Sequence, residues 1–325
     1  MISKLKKQDA LEYDDRPIIT VVGVLGKQGL SAARSLVESG LYRVRGITRR
    51  VNSAEAIKLA EQGVELLNLP LDLGYKKAFI EVFKGSYGVF LMTPNIAPPA
   101  THEFELGKEL ADAAVEAGVQ HVIFSSLENV DKISGGKLFA PHFTDKARVE
   151  EYIRTLPVTS SFIYMAFFFT NLLEFYTPQV KGDSLVFPIY LPKDFRAPFV
   201  DPLTATGAAV LEIFSNPVEY SGKSLPVVGD MISPGEIVET FTKVTGKKAE
   251  YASAHTKEDM LKHFPEFEAN DDLVREILGM ASYVIEYGYY GKERDLEWSR
   301  QVNPQSFTWE QFLRNTGWKG QKLLF

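Results

Sequence analysis

The chain contains no cysteine among its 325 residues. Disulfides, thiolate metal sites and a cysteine nucleophile are therefore excluded. Its five histidines include no pair at the i, i+4 spacing that lets one helix face bind a metal, so we expect no metal site. Neither the serine elbow Gly-x-Ser-x-Gly nor a P-loop occurs. The sequence thus lacks the usual motifs of metal-dependent hydrolysis, acyl transfer and nucleoside-triphosphate hydrolysis.

The chain also has no excess of positive charge and no long apolar run. Lysine and arginine number 36 against 42 acidic residues, for a net charge of −6, so we expect no direct contact with nucleic acid. The most apolar stretch, Val158–Leu173, is interrupted by polar residues and is shorter than the roughly 20 residues of a membrane span. Residues 1–16 lack the apolar core of a secretory signal. We expect a soluble intracellular protein without membrane contact, cytoplasmic, with the nucleus as an open alternative.

Short apolar runs alternate with amphipathic segments from residue 18 to about residue 165. This alternation predicts βαβ units and a parallel sheet with helices on both faces. The predicted strands are Ile18–Val22, Val44–Thr48, Val64–Leu69, Val89–Met92, His121–Ser125 and Ser161–Met165. The predicted helices are Ser31–Glu38, Ala54–Gln62, Lys76–Phe83, Glu103–Ala117 and Thr144–Thr155. The fold class is therefore α/β, with a doubly wound parallel sheet of the Rossmann type.

Beyond residue 175 the alternation stops, and prolines and aromatic residues are mixed with loops. This change predicts a smaller, mixed α/β C-terminal lobe. Two helices have clear signals there: one begins at the capping box Ser233 to Glu236 and ends at Gly246, and another begins at Thr308 and ends at Gly317. The predicted organisation is a flexible tail over 1–16, a dinucleotide-binding domain over 17–174, and a lobe over 175–325 that can return strands to the first sheet.

The first predicted strand leads directly into a glycine-rich turn and then a helix. The turn reads Gly23-Val24-Leu25-Gly26-Lys27-Gln28-Gly29, with glycines at every third position. Gly23 permits the tight turn, Gly26 lets backbone N–H groups approach a pyrophosphate, and Gly29 lets the helix pack closely on the sheet. The helix N-terminus supplies unpaired N–H groups and a partial positive charge. A three-glycine match is weak alone, but its strand-to-helix context predicts a dinucleotide site.

The residues after the second predicted strand indicate which dinucleotide binds. A site for NAD places Asp or Glu here to bind the ribose 2′-hydroxyl, whereas this strand ends in Thr48-Arg49-Arg50. The planar guanidinium of Arg49, with help from Arg50, suits the 2′-phosphate of NADP(H). Two solvated loop arginines are the alternative. After the third strand, Asp72 and Leu73 lie where adenine contacts are expected, and Asp72 could equally cap the next helix.

These residues, together with the block from His121 to Leu173, resemble the NmrA-like family, atypical members of the short-chain dehydrogenase/reductase superfamily. The block contains Ser-x-Leu-Glu-Asn, His-Phe-x-x-Lys-x-x-Val-Glu-Glu-Tyr and Phe-x-Asn-Leu-Leu. The resemblance implies an NADP(H)-binding Rossmann lobe with a smaller C-terminal lobe. It departs from the pattern Gly-Ala/Gly-Thr-Gly at Val24-Leu25, where a threonine hydroxyl is lost.

The resemblance also implies roles for residues along the nicotinamide half of the cofactor. The implied contacts are Thr93, Pro94 and Asn95 after the fourth strand, Lys146 at the nicotinamide ribose, and Phe168, Phe169, Thr170 and Asn171 over the nicotinamide end. The run Phe167–Phe169 is a core segment by default. Rings that line the cleft would instead favour a flat or apolar ligand.

A tyrosine is missing from the expected catalytic motif. Reductases of the superfamily use Tyr-x-x-x-Lys, in which the tyrosine exchanges the proton, but His142 stands four residues before Lys146. The same substitution marks a redox-sensor branch of the family. His142 can itself donate a proton, because an unperturbed histidine titrates near neutral pH, or it can be a structural residue that hydrogen-bonds a loop. Ser125 fills the usual serine position, or only caps a strand.

Two functions remain open. The missing tyrosine favours an NADP(H)-binding sensor whose cofactor state controls a regulatory protein partner or a homodimer, including a role in transcriptional regulation. The alternative is an NADPH-dependent reductase of a quinone, enone or aldehyde, because hydride transfer to such acceptors depends mainly on positioning.

Overall fold

The computed structural model describes residues 14–94, 102–291 and 294–323. Its strands are β1 (Ile18–Val22), β2 (Arg43–Thr48), β3 (Glu65–Asn68), β4 (Ser86–Leu91), β5 (His121–Ser126), β6 (Thr159–Met165), β7 (Phe167–Phe168), β8 (Gln179–Lys181), β9 (Ser184–Ile189), β10 (Ala197–Val200), β11 (Ser224–Val227), β12 (Asp230–Ile232) and β13 (Ala249–Ser253).

The helices follow in the same order. They are α1 (Lys27–Glu38), α2 (Ala54–Glu61), α3 (Lys76–Phe83), α4 (Glu103–Glu116), α5 (Val130–Ser134), α6 (Pro141–Ile153), α7 (Asn171–Glu174), α8 (Pro202–Ser215), α9 (Pro217–Tyr220), α10 (Pro234–Thr245), α11 (Lys257–His263), α12 (Asp271–Tyr287), α13 (Leu296–Val302) and α14 (Trp309–Thr316), with a 3₁₀ helix at Pro265–Ala269.

Seven strands form one parallel sheet in the order β11-β6-β5-β4-β1-β2-β3. All six predicted strands are confirmed, with ends that differ by at most three residues. Strands β1, β4 and β5 are almost wholly buried, as expected for a sheet covered on both faces. The chain order reverses between β1 and β4, and ligands of such sheets bind in the crevice at that reversal, outside the carboxyl ends of the strands. The Rossmann-type fold class is therefore confirmed.

Two helices begin earlier than predicted. Helix α1 starts at Lys27 rather than Ser31, because Gly26 already acts as its N-cap and accepts the amide of Leu30 at 2.8 Å. Its first turn is polar and glycine-containing, so apolar spacing does not reveal it. Helix α6 starts at Pro141 rather than Thr144, since the fixed φ of proline suits the first helical position.

The C-terminal half contributes to the same layers. Strand β11 pairs with β6 in parallel register, with Ser224 opposite Phe162. Helix α8 packs on α1, and the amide of Gly207 donates to the Ser31 hydroxyl at 2.9 Å. The division at residue 174 therefore stays a prediction. Two smaller sheets, β12-β10-β7 and β13-β9-β8, complete the mixed architecture of this half.

The two helices predicted in this half are confirmed with their caps. Helix α10 begins after Ser233 with a complete capping box and ends at Gly246, whose φ is +71°. Helix α14 has the same arrangement between Thr308 and Gly317. Of the predicted tail, residues 1–13 lie outside the described residues, and Asp14 and Arg16 form an ion pair at the start of the fold.

Candidate functional site

The glycine turn lies at the crevice between β1 and β4. Gly23 has a φ of +62°, a left-handed conformation that favours glycine, and its Cα faces the side chain of Met92 at the end of β4. The amide of Gly26 donates to the Gly23 carbonyl at 2.8 Å and closes the turn. Gly26 itself is exposed at the N-terminus of α1. The turn therefore presents a helix N-terminus to the crevice without a Cβ at its front, which fits a bound diphosphate.

Close contacts at two glycines hold this turn against the sheet. A Cβ on Gly29 would lie 2.3 Å from the Gly23 carbonyl oxygen, so only glycine lets α1 pack this closely. A Cβ on Gly46 of β2 would lie 2.8 Å from the methyl groups of Val24. Val24 is fully buried, and Leu25 is partly buried. The departure from the family pattern at these two positions thus serves packing, and sequence reasoning had assigned no role to Gly46.

The carboxyl end of β2 carries the two arginines. Thr48 is buried, and its hydroxyl accepts the amide of Arg50 at 3.1 Å. Arg49 and Arg50 are exposed, and neither side chain pairs with another of the residues that the structure describes. No acidic residue follows β2 before Glu55 in the first turn of α2. This end of the crevice therefore offers uncompensated positive charge.

Asp72 and Leu73 are exposed after β3. The Asp72 carboxylate accepts the amide of Leu73 at 2.8 Å and lies 3.7 Å from Nε2 of His102. It does not cap α3, whose N-cap residue is Tyr75 and has no side-chain cap bond. The alternative of a capping role for Asp72 is therefore wrong, because the helix starts too far along the chain.

Lys146 lies on α6, and its ammonium group forms an ion pair with a buried carboxylate. Its partner is Glu103, the first residue of α4, whose exposed fraction is 1%. The same Glu103 oxygen accepts the hydroxyl of Thr93 at 2.5 Å. Pro94 is exposed beside Thr93, and Asn95 lies outside the described residues. This carboxylate thus joins the end of β4 to the lysine expected at the nicotinamide ribose.

Lys27 and Gln28, in the first turn of α1, are also tied to distant elements. Lys27 pairs with Glu174 of α7, which is 8% exposed. The Ser125 hydroxyl of β5 donates to the Gln28 side-chain oxygen at 2.8 Å. Burial raises the pKa of Asp201, and the positive charge of Lys27 opposes that shift. The glycine turn is therefore joined both to β5 and to the C-terminal half.

His142 is the second residue of α6 and is held by Glu276 of α12. One carboxylate oxygen of Glu276 lies 2.6 Å from Nδ1 of His142 and also accepts the backbone N–H of His142 at 3.1 Å. Glu276 is 2% exposed. The expectation that a structural His142 would bond a loop is wrong in its partner, since α12 supplies it.

The run Phe167–Phe169 divides between the core and the surface. Phe167 packs against Tyr190, Phe199 and Tyr289, and Phe169 is fully buried against Phe199, Trp309 and Phe312. Among the three rings, only Phe168 is partly exposed. Aromatic residues of the C-terminal half surround the Phe169 ring, and the cofactor contact implied for Phe169 stays a prediction. Thr170 is buried with a hydroxyl that has no partner among the described residues, and Asn171 starts α7.

Three glutamates of the site were not predicted from the sequence: Glu103, Glu174 and Glu276. Each holds a predicted site residue that lies 43, 147 or 134 positions away along the chain, respectively. In sequence, each is an ordinary helical glutamate. Only burial of an acid on a helix face distinguishes them, and amphipathic spacing does not assign a partner. Within the described ranges, no cluster of three or more His, Asp or Glu is placed to hold a metal, and no helix is long and apolar enough to cross a membrane.

The strand order, the reversal between β1 and β4 and the glycine turn together define the Rossmann class of dinucleotide-binding folds. A model of the NmrA-like family matches residues 15–313. The chain belongs to the NmrA-like family.

The chain is similar in sequence to curated members of the family and similar in fold to solved structures. An NmrA-like family domain-containing protein of Dictyostelium discoideum is 32% identical over 243 residues, covering 72% of this chain and 79% of its own. The NmrA-like family domain-containing oxidoreductase malD of Malbranchea aurantiaca is 34% identical over 254 residues, covering 72% and 74%. The negative transcriptional regulator NmrA, crystallised with NADP, is similar in structure with a TM-score of 0.73 at 21% identity, covering 93% and 95%.

Proposed function

We propose that the chain binds NADP(H) in preference to NAD(H). The glycine turn would hold the diphosphate on the amides at the start of α1, where the exposed Gly26 leaves the approach open. Arg49 and Arg50 would bind the 2′-phosphate, supported by their exposure and by the absence of an acid after β2. The complexes of NmrA with NADP and with NAD support a nicotinamide dinucleotide as the class of ligand, and the two arginines are the basis for the preference.

We further propose that the chain is an NADPH-dependent oxidoreductase that acts on a quinone, enone or aldehyde. The observation that carries this proposal is the placement of His142, which a buried carboxylate holds one helical turn before Lys146. A histidine can exchange a proton near neutral pH, so His142 takes the role of the missing tyrosine. Relatives described as oxidoreductases at about one-third identity support this choice.

The residues of the site have separate proposed roles in the transfer of a hydride and a proton. The bound coenzyme supplies the hydride. Lys146, on its Glu103 carboxylate, positions the ribose next to the nicotinamide, and His142 gives a proton to the oxygen of the acceptor. Phe168, the partly exposed ring of its run, offers an apolar surface to a flat acceptor.

The test is NADPH oxidation by the full chain across a panel of quinones, enones and aldehydes. The matched variant is His142→Gln, whose side-chain amide can still donate to Glu276 but cannot carry a proton to substrate. We expect turnover of at least one acceptor class and a loss of roughly 100-fold or more in the variant. No turnover of any acceptor would refute the oxidoreductase proposal.

A redox sensor is the second candidate, and the Lys146–Glu103 pair favours it. The ammonium is already neutralised by a buried carboxylate that also binds Thr93, so a bound ribose must share or displace that contact. Displacement would move the start of α4 and bias a regulatory partner or a homodimer, in the cytoplasm or the nucleus. Sedimentation with NADPH and with NADP⁺ tests this candidate, which predicts different assembly states for the two ligands. Equal sedimentation under both conditions would contradict it.

A further inference from the structure

We propose that Glu276, in the C-terminal half, is a positioning residue that fixes His142 in the tautomer whose Nε2 exchanges the proton with substrate. This inference rests on the oxidoreductase function proposed above. Glu276 does not touch the reacting atoms in this account; it acts through the imidazole.

The contact geometry selects one ring nitrogen. A single oxygen of Glu276 accepts the backbone N–H of His142 at 3.1 Å and lies 2.6 Å from Nδ1. This oxygen is already the acceptor of the backbone N–H, and we infer that it accepts from the ring as well, so that Nδ1 carries the hydrogen of this contact. In the neutral ring Nε2 is then the free acceptor, and in the protonated ring it is the free donor. Nε2 has no hydrogen-bond partner within the described part of the chain.

Capping of α6 alone does not explain the arrangement. The first N–H groups of a helix need partners, and Glu276 satisfies that of His142. A cap needs only this backbone contact, yet the ring is also turned onto the same oxygen and lies edge-on to Phe143 with centroids 4.9 Å apart. The imidazole is therefore fixed on its Nδ1 side, and its other side is left available.

Each basic residue of the motif contacts its own buried carboxyl group. Lys146 pairs with Glu103 from α4, whereas His142 pairs with Glu276 from α12. Residues four apart are neighbours on one helix face. Separate carboxylates let the imidazole hold a proton one turn from an ammonium without leaving two uncompensated buried cations. Sharing of one carboxylate would not achieve this.

The chemistry balances with one proton from His142. The acceptor gains a hydride from NADPH and a proton from Nε2, so a carbonyl becomes an alcohol and NADP⁺ is released. The imidazole is left neutral with its hydrogen on Nδ1, and solvent returns the proton to Nε2. Glu276 takes no part in this proton balance.

The experiment compares Glu276→Gln with the parent, in the NADPH-bound full chain. Glutamine keeps an oxygen for the backbone N–H of His142, so the cap can survive, but it no longer dictates which ring nitrogen is protonated. Nitrogen NMR of the labelled imidazole reports the tautomer, and steady-state kinetics report kcat and KM separately. Glu286→Gln, an exposed position on the same helix, is the matched control.

We expect the Nδ1-protonated tautomer in the parent and a mixture in Glu276→Gln. We also expect kcat to fall roughly 10- to 100-fold, because a mis-set tautomer is costly in proton transfer, with KM for NADPH within about twofold. His142→Tyr restores Tyr-x-x-x-Lys with a side chain that has no tautomers. In that background Glu276→Gln should therefore lower kcat by less than about threefold.

Three outcomes would overturn the inference. An active parent whose neutral imidazole carries its hydrogen on Nε2 rather than on Nδ1 contradicts the geometry. Equal losses from Glu276→Gln in the parent and in the His142→Tyr background would mean a purely structural role. A parent that fails to oxidise NADPH with any acceptor of the panel, while its tautomer is as expected, would refute the oxidoreductase proposal itself and the positioning role with it.

Discussion

Replacing Gly29 with alanine separates the packing role of the glycine turn from its proposed binding role. The new Cβ would lie 2.3 Å from the Gly23 carbonyl oxygen and 2.8 Å from its carbon. Both atoms belong to the backbone of the turn, so α1 must move by about 1 Å to restore ordinary van der Waals contact. Overpacking of this kind costs about 1–3 kcal/mol, and we expect the upper end, because no flexible side chain can give way.

Gly26→Ala is the matched comparison. Its Cβ would meet only the Gly23 oxygen, at 3.2 Å, and the φ of −78° at this position suits alanine. We therefore expect a loss of less than about 1 kcal/mol in the free energy of unfolding. The methyl group would, however, stand in the open approach to the start of α1, and we expect NADPH affinity to fall by about 10-fold or more.

Urea unfolding followed by tryptophan fluorescence measures the first quantity, and calorimetric titration with NADPH measures the second. We expect opposite profiles: Gly29→Ala should mainly lose stability, whereas Gly26→Ala should lose NADPH affinity with little loss of stability. An unfolding free energy for Gly29→Ala equal to that of the parent would refute the packing argument. NADPH affinity unchanged in Gly26→Ala would refute the proposed diphosphate position.

Three further predictions test other parts of the fold and site. A Cβ at Gly207 would lie 2.1 Å from the Ser35 hydroxyl, so Gly207→Ala should lower the free energy of unfolding by about 1–3 kcal/mol in urea denaturation, and an unchanged midpoint would contradict the α1–α8 packing. Burial lowers the pKa of His121 from 6.5 to about 4. Between these two pH values the unfolded chain binds more protons than the folded chain, so the free energy of unfolding falls as the pH falls, by roughly 3 kcal/mol from this group. Urea titrations over that range should give a shallower pH slope for His121→Asn, and an identical slope would exclude the effect. Glu103→Gln removes the counter-charge of Lys146. The ribose contact is common to NADPH and NADH, so calorimetry should show the affinities for both coenzymes changing in parallel. A change in only one of these two affinities would argue against the ribose role.

The sheet and the glycine turn are predictable because their signals are local. Strands β1, β4 and β5 contain short apolar runs, and the glycines at positions 23, 26 and 29 mark the turn before α1. The capping boxes at Ser233 and Thr308 are likewise complete within four residues. Local rules of backbone geometry and burial determine these features, so a single sequence is sufficient to predict them.

The site's electrostatics are not predictable in the same way. Glu276 comes from a helix whose approach to His142 depends on how the C-terminal half packs, and no spacing rule connects positions 134 residues apart. The same limit applies to Phe169, whose ring could face the cleft or the core until Trp309 and Phe312 are brought against it. Tertiary packing decides these contacts, and with them whether the missing tyrosine has a replacement.

Calorimetric titration of the parent and of Arg49→Ala with NADPH, NADP⁺ and NADH tests the central claim most directly. Arg314→Ala, which removes an exposed arginine from α14, is the charge-matched control. We predict that the parent binds both phosphorylated forms about 10- to 100-fold more tightly than NADH, and that Arg49→Ala loses this preference while Arg314→Ala keeps it. Equal affinity of the parent for NADPH and NADH would contradict the account.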